Sequence, residues 1–202
     1  MTKNKEGTEG NDNILPGELS WWTRTWEETS QEISKTIGHK KQNLEIQYSE
    51  TLIDTYKKFI HEFGYPEKVF YPCAWQDGSA SKVFKEVIYL DNYKDSVLAL
   101  EKEWYIVYEW NAETFQLEPK ADLMIIMNPQ VKSEVLTKNI KSKGYIMCNN
   151  YHLTADELWL NPEFTFIKNL ETGKKEFHPI QDIETATQFS KHDTGYFVFQ
   201  KK

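Results

Sequence analysis

Apolar residues at 44, 48, 52, 56, 59, 60 and 63 (Leu, Tyr, Leu, Tyr, Phe, Ile, Phe) recur every three or four positions and predict an amphipathic helix ended by Gly64 and Pro66. A thinner stripe at Trp22, Trp26, Ile33 and Ile37, followed by Gly38, predicts a helix ahead of it. In the first 20 residues only Met1, Ile14, Leu15 and Leu19 are apolar, so residues 1–18 are expected to form a disordered tail. The chain thus divides into this tail, a helical extension over 19–64 and a domain over 65–202. After Pro66 short apolar runs alternate with polar or amphipathic stretches, as buried parallel strands alternate with their crossovers. The runs lie at 69–71, 87–90, 104–108, 123–127 and 145–148 and predict an α/β sheet.

The crossovers differ in substance. Tyr93, Val97, Leu100 and Trp104 mark a helix between the second and third runs. Val131, Val135, Leu136 and Ile140 mark another between the fourth and fifth, with Lys138, Lys141 and Lys143 near its end and Gly144 as its cap. The segments after Cys73 and over 111–120 are close to the shortest that a parallel crossover allows. Thr154 and Glu157 are spaced as a capping box, and Asn161-Pro162 stops the helix that it starts. The segments 164–167 and 195–199 then predict two strands that pair antiparallel at the sheet edge.

Composition narrows the class. There are 11 Phe, 11 Tyr and 7 Trp, enough large apolar surface for a core, which excludes a disordered or collagen-like chain. The longest apolar run has five residues, Leu123 to Met127, far short of the roughly 20 that span a bilayer as a helix. No secretory h-region opens the sequence, and two cysteines, Cys73 and Cys148, suit a reducing compartment, so the cytoplasm is the expected location. With 24 basic and 31 acidic residues the net charge is −7, which disfavours nucleic-acid and anionic-membrane partners. A small molecule in the cleft at the carboxyl edge of the strands is the expected partner.

Two helices, five strands with crossovers, then a late strand pair whose last member closes the sequence: this order resembles the class I S-adenosylmethionine-dependent methyltransferases, over roughly residues 65–202. The resemblance implies a Rossmann-like, mostly parallel sheet with an antiparallel last strand between strands five and six. It sets Tyr71-Pro72-Cys73-Ala74-Trp75-Gln76-Asp77-Gly78 in place of the family's glycine-rich loop and Asp91 in place of its ribose-binding acid. The stretch Tyr-Pro, Asp77, Asn150 and His152 is also similar to uncharacterised methyltransferase-like bacterial proteins. The sequence departs from the family in its glycines, since Gly78 is the only one between residues 65 and 143.

The resemblance thereby implies S-adenosylmethionine as cofactor, held by Tyr71, Pro72, Cys73, Ala74, Asp77 and Asp91, and methyl transfer to a small acceptor. Asp91 lies 19 positions after Pro72, near the spacing at which an acid meets a ribose diol in nucleotide-binding α/β units. As a strand-end carboxylate facing a cleft, it is expected to matter little for stability. Asp77 before Gly78 suits a cofactor amino group or, preferably, an Asx-turn. Asn128-Pro129-Gln130-Val131 keeps half of the Asn-Pro-Pro-aromatic motif of amino-methyltransferases, placing Asn128 and Pro129 by the acceptor. His152 offers a general base near neutral pH, with Asn150 beside it for substrate. Cys73 lies after the first strand and Cys148 inside the fifth, and the fourth should separate them, so they read as small packed thiols and no metal set is expected. The alternative is a non-catalytic relative that binds another ligand or a protein.

Overall fold

The computed structural model describes residues 45–127, 129, 131–175, 177–178 and 195–202. The expected tail, the helix over Trp22 to Ile37 and Asn128 lie outside the described residues. The first described helix, α1 (Glu50–Phe63), starts where the Ser49 hydroxyl accepts the Leu52 N–H and ends at Gly64, whose φ of 86° no side chain strains. It begins six residues later than the periodicity suggests, because Ser49 caps it.

Among the described residues seven strands follow: β1 (Val69–Pro72), β2 (Val87–Asp91), β3 (Ile106–Glu109), β4 (Ala121–Ile126), β5 (Ile140–Cys148), β6 (Phe164–Asn169) and β7 (Phe197–Lys201). Their order across the sheet is β3-β2-β1-β4-β5-β7-β6. The first five run parallel, and β7 lies antiparallel between β5 and β6. The expected Rossmann-like sheet with its inserted last strand is therefore present.

Strand alternation divides the core in two. Val69, Tyr71, Tyr89, Leu123, Ile125, Met147 and Val198 point to one face and pack with Tyr56 and Phe59 of α1 and Leu100 of α2 (Lys94–Lys102). Phe70, Ile88, Leu90, Met124, Ile126, Ile146 and Phe199 point to the other. Leu136 of α3 (Ser133–Leu136) and Leu158 of α4 (Thr154–Leu160) close that second layer. Burial on both faces explains why the central strands read as unbroken apolar runs.

Three local expectations are corrected. Trp104 does not extend α2; it follows the helix end with φ 61° and is 94% exposed. The helix expected over residues 131–143 is confined to α3 and a 3-10 turn, Thr137–Asn139, and β5 already begins at Ile140. Ile140 pairs with Ala121 and Tyr145 with Leu123, so residues 141–144 bulge opposite Asp122 alone, and Gly144 lies inside a strand. A Cβ there would meet the Ile140 side chain at 2.8 Å, which accounts for the glycine better than a helix cap does.

The third correction concerns α4. Thr154 is its first residue, not its cap, and the chain enters through Leu153 at φ 60°. The Asn150 side-chain oxygen accepts the N–H groups of Ala155 (3.0 Å) and Asp156 (3.3 Å). Glu157 turns to the Ser133 N–H at 2.7 Å, tying α4 to α3.

Candidate functional site

The carboxyl ends of β1 and β2 meet in a compact corner. The chain leaves β1 with Cys73 and Trp75 both at φ 55°, in the left-handed region where glycine is free of steric cost. The backbone thus takes, at alternate positions, the shape that a glycine-rich loop supplies, while carrying two side chains. The Cys73 N–H reaches the Leu90 carbonyl at 2.7 Å, and the Trp75 N–H reaches one Asp91 oxygen at 2.9 Å. The other Asp91 oxygen accepts the Tyr93 N–H, also at 2.9 Å.

Asp91 is therefore both buried and bonded. Burial pushes its carboxyl above the ordinary 3.8, and the N–H groups of Tyr93, Trp75 and Asn92 pull the other way without cancelling it. Its part in tying two loops corrects the expectation that removing it leaves stability unchanged. Above it the indole of Trp75 stacks on the Tyr93 ring, centroids 4.9 Å apart and planes within 5°. Sequence reasoning missed Tyr93 as a site residue. The signal was an aromatic two positions past a strand-end acid, which periodicity absorbed into the helix.

The rest of the loop faces inward. Tyr71 is buried beneath α1, and its hydroxyl donates to one Asp77 oxygen at 2.9 Å. The other Asp77 oxygen accepts the Ser79 N–H and hydroxyl, which forms an Asx-turn. Pro72 and Ala74 are buried, and Cys73 is half-buried. Gly78 makes room for the segment before α1: its N–H bonds the Gln47 carbonyl, and a Cβ would meet Ile46 at 2.5 Å. The single glycine in this loop thus serves chain packing.

A second corner lies beyond β4 and β5. Pro129 is buried after β4. His152 is half-buried in the turn after β5, edge-on to Tyr151 at 4.8 Å, and burial lowers its pKa below 6.5. Asn150 caps α4 and donates to buried Asp156 at 2.7 Å. Cys148 is buried, and burial, with the nearby Asp156 charge, pushes its thiol well up. Cys73 follows β1 and Cys148 ends β5, and β4 lies between those two strands. Among the described residues no three His, Cys, Asp or Glu gather to hold a metal ion, and no helix is long and apolar enough to cross a membrane.

No protein-family model and no curated protein matches the chain. Solved structures do. N-methyltransferase NodS from Bradyrhizobium japonicum WM9 superposes with a TM-score of 0.51 at 10% identity, over 75% of this chain and 94% of that one. In its complex with S-adenosyl-L-homocysteine the values are 0.50 and 11%, over 75% and 86%. A structure described as StiE O-MT gives 0.51 at 6% identity, over 74% and 73%. Identities this low speak to architecture alone, and they agree with the strand order. The chain has the fold of the class I S-adenosylmethionine-dependent methyltransferases.

Proposed function

We propose that the chain binds an adenosine-type ligand where β1 and β2 end, and that its activity is methyl transfer from S-adenosylmethionine to a small acceptor. The observation that carries this is Asp91, a buried carboxylate at the end of β2 in the fold described above. A carboxylate has about four acceptor sites, and the Trp75 and Tyr93 N–H groups take one on each oxygen, which leaves capacity for a ligand hydroxyl. The left-handed backbone at 73 and 75 supports the same reading, because it keeps the loop close to the strand ends. The residues therefore fit the ribose of the cofactor.

When bound, the cofactor supplies a methyl group on a sulfonium, already a strong donor. The work left to the protein is positioning. In this reading Asp91 accepts from the ribose and the main chain of Pro72, Cys73 and Ala74 borders the methionine part, while Tyr71 and Asp77 brace the loop from below. Asn128, Pro129 and His152 border the acceptor, and Asn150 shapes their turn. Burial keeps the His152 imidazole neutral at neutral pH, so a ring nitrogen can take the proton that an acceptor sheds. The domain over 65–202 is the proposed catalytic unit.

A second reading, a non-catalytic relative, draws on one observation: Cys73 and Trp75 put side chains where glycines leave room, and the Trp75 indole lies on Tyr93. Calorimetric titration of the full chain with S-adenosylmethionine, S-adenosylhomocysteine and adenosine separates the two. Binding of the first two in the micromolar range supports the enzyme. Binding of adenosine alone supports a relative whose methionine subsite is filled by its own side chains. No binding of any of the three refutes an adenosine site.

A further inference from the structure

Asp91 is only 8% exposed, and it accepts the main-chain N–H groups of Trp75 and Tyr93, the two residues whose rings stack on each other. A ligand hydroxyl reaches such a carboxylate only after part of its cover has moved. The main chain on either side is held in place. The Cys73 N–H bonds the Leu90 carbonyl, the Asp77 N–H bonds that of Ala74, and the Ser96 and Val97 N–H groups bond that of Tyr93. Movement therefore falls to a side chain.

The two rings are not equally fixed. Tyr93 stands at the entry of α2, half-buried, and its hydroxyl is directed to Asp95 at 3.5 Å. Trp75 is 40% exposed, and among the described residues its indole N–H has no hydrogen-bond partner. What holds the indole is the stack on Tyr93. Exposed side chains change rotamer on the roughly ps–ns timescale, so the indole can swing away while the loop stays folded. The swing leaves the main chain of Trp75 at φ 55° and its N–H on Asp91.

We propose that the Trp75 indole is a gate on the ribose site proposed above at Asp91, and the gate rests on that reading. Closed, the indole lies on Tyr93 and covers the carboxylate. Open, it turns to solvent and admits an adenosine-type ligand. The ligand then binds only the open fraction, and its apparent dissociation constant is the intrinsic one divided by that fraction. A ring stack favours the closed state by a factor of about two to ten. Removing the ring should therefore raise affinity by that ratio plus one, or about three- to tenfold.

Calorimetric titration of the full chain with S-adenosylhomocysteine and with adenosine, paired with acrylamide quenching of tryptophan fluorescence, tests the gate. Trp75→Ala keeps a Cβ at the left-handed position and removes only the ring, and it is expected to bind about three- to tenfold more tightly than the wild type. Trp75→Leu, which cannot stack either, stands in should the alanine variant not fold. Trp75→Phe keeps a flat ring for Tyr93 and is expected within about twofold of the wild type. Saturating ligand should raise quenching in the wild type, whose indole is driven into water, and leave it unchanged in Trp75→Phe. A wild type that binds, with an alanine variant that binds no more tightly, overturns the gate and leaves the Asp91 site standing. Unchanged quenching in a wild type that binds does the same. If neither wild type nor variant binds either ligand, the Asp91 site falls, and the gate with it.

Discussion

Asp91 at the end of β2 and Asn150 beyond β5 both accept main-chain N–H groups, yet they are left with different capacities. The single carbonyl oxygen of Asn150 takes both of its bonds from the first turn of α4, and its amide donates to Asp156. Nothing of its acceptor capacity remains for a substrate. Asp91 takes the Trp75 and Tyr93 N–H groups on separate oxygens and so joins two loops, and an ionised carboxylate has about four acceptor sites. Both residues look alike in sequence, polar groups just past a strand. What distinguishes them is how many of their hydrogen-bonding sites the fold itself consumes.

The comparison breaks most visibly in stability. Asn150→Ala removes the cap of α4 and a donor to a buried carboxylate, and should cost roughly 2–4 kcal/mol. It should leave ligand affinity in the folded protein unchanged. Denaturant titration with calorimetry on the same sample checks both, and a lost affinity in a stable variant would return Asn150 to the substrate.

Trp75→Gly sharpens the other corner. It relieves a left-handed tryptophan and gives up the stack on Tyr93, two effects of roughly 1 kcal/mol each and opposite sign, so the midpoint should hardly move. Affinity for S-adenosylmethionine should rise as the loop opens. Lower affinity would show that the indole is part of the site, and unchanged affinity that it does not obstruct it.

The smallest effects are those of pH, and the corners should differ in sign. Asp91 has a raised folded pKa, so the folded state binds more protons than the unfolded one just above 3.8, and stability falls as pH rises through that window. His152 has a lowered folded pKa, so its contribution is complete above 6.5 and is lost as pH falls below it. Asp91→Asn and His152→Gln should each flatten its own window in melting curves taken across pH. A slope that survives either substitution assigns it to another group.

Much of the frame was legible because the central strands are buried on both faces and the polar punctuation is strong. Val87 to Leu90 and Leu123 to Ile126 are apolar at every position, and Gly64 ends α1 where the periodicity stops. Other features depend on partners distant in sequence. The Thr154 and Glu157 spacing suggested a capping box, but Glu157 is taken by Ser133 of another helix and Asn150 does the capping. The lysines near 140 suggested a helix end, but β4 draws Ile140 into the sheet and the residues after it bulge. At the site, Asp91 was legible as a strand-end acid. The stack of Trp75 on Tyr93 was not, because it depends on two left-handed residues in a loop with no glycine at either position.

Measuring ligand affinity and unfolding free energy together on Asp91→Ala tests the central claim most directly. The account predicts a loss of roughly 1–3 kcal/mol in stability, from the two loop N–H groups left without an acceptor. It also predicts a fall of about 10- to 150-fold in affinity for S-adenosylhomocysteine, about 1.4–3 kcal/mol. A variant less stable by that amount that binds as tightly as the wild type would contradict the account, because Asp91 would then hold the loops and nothing else.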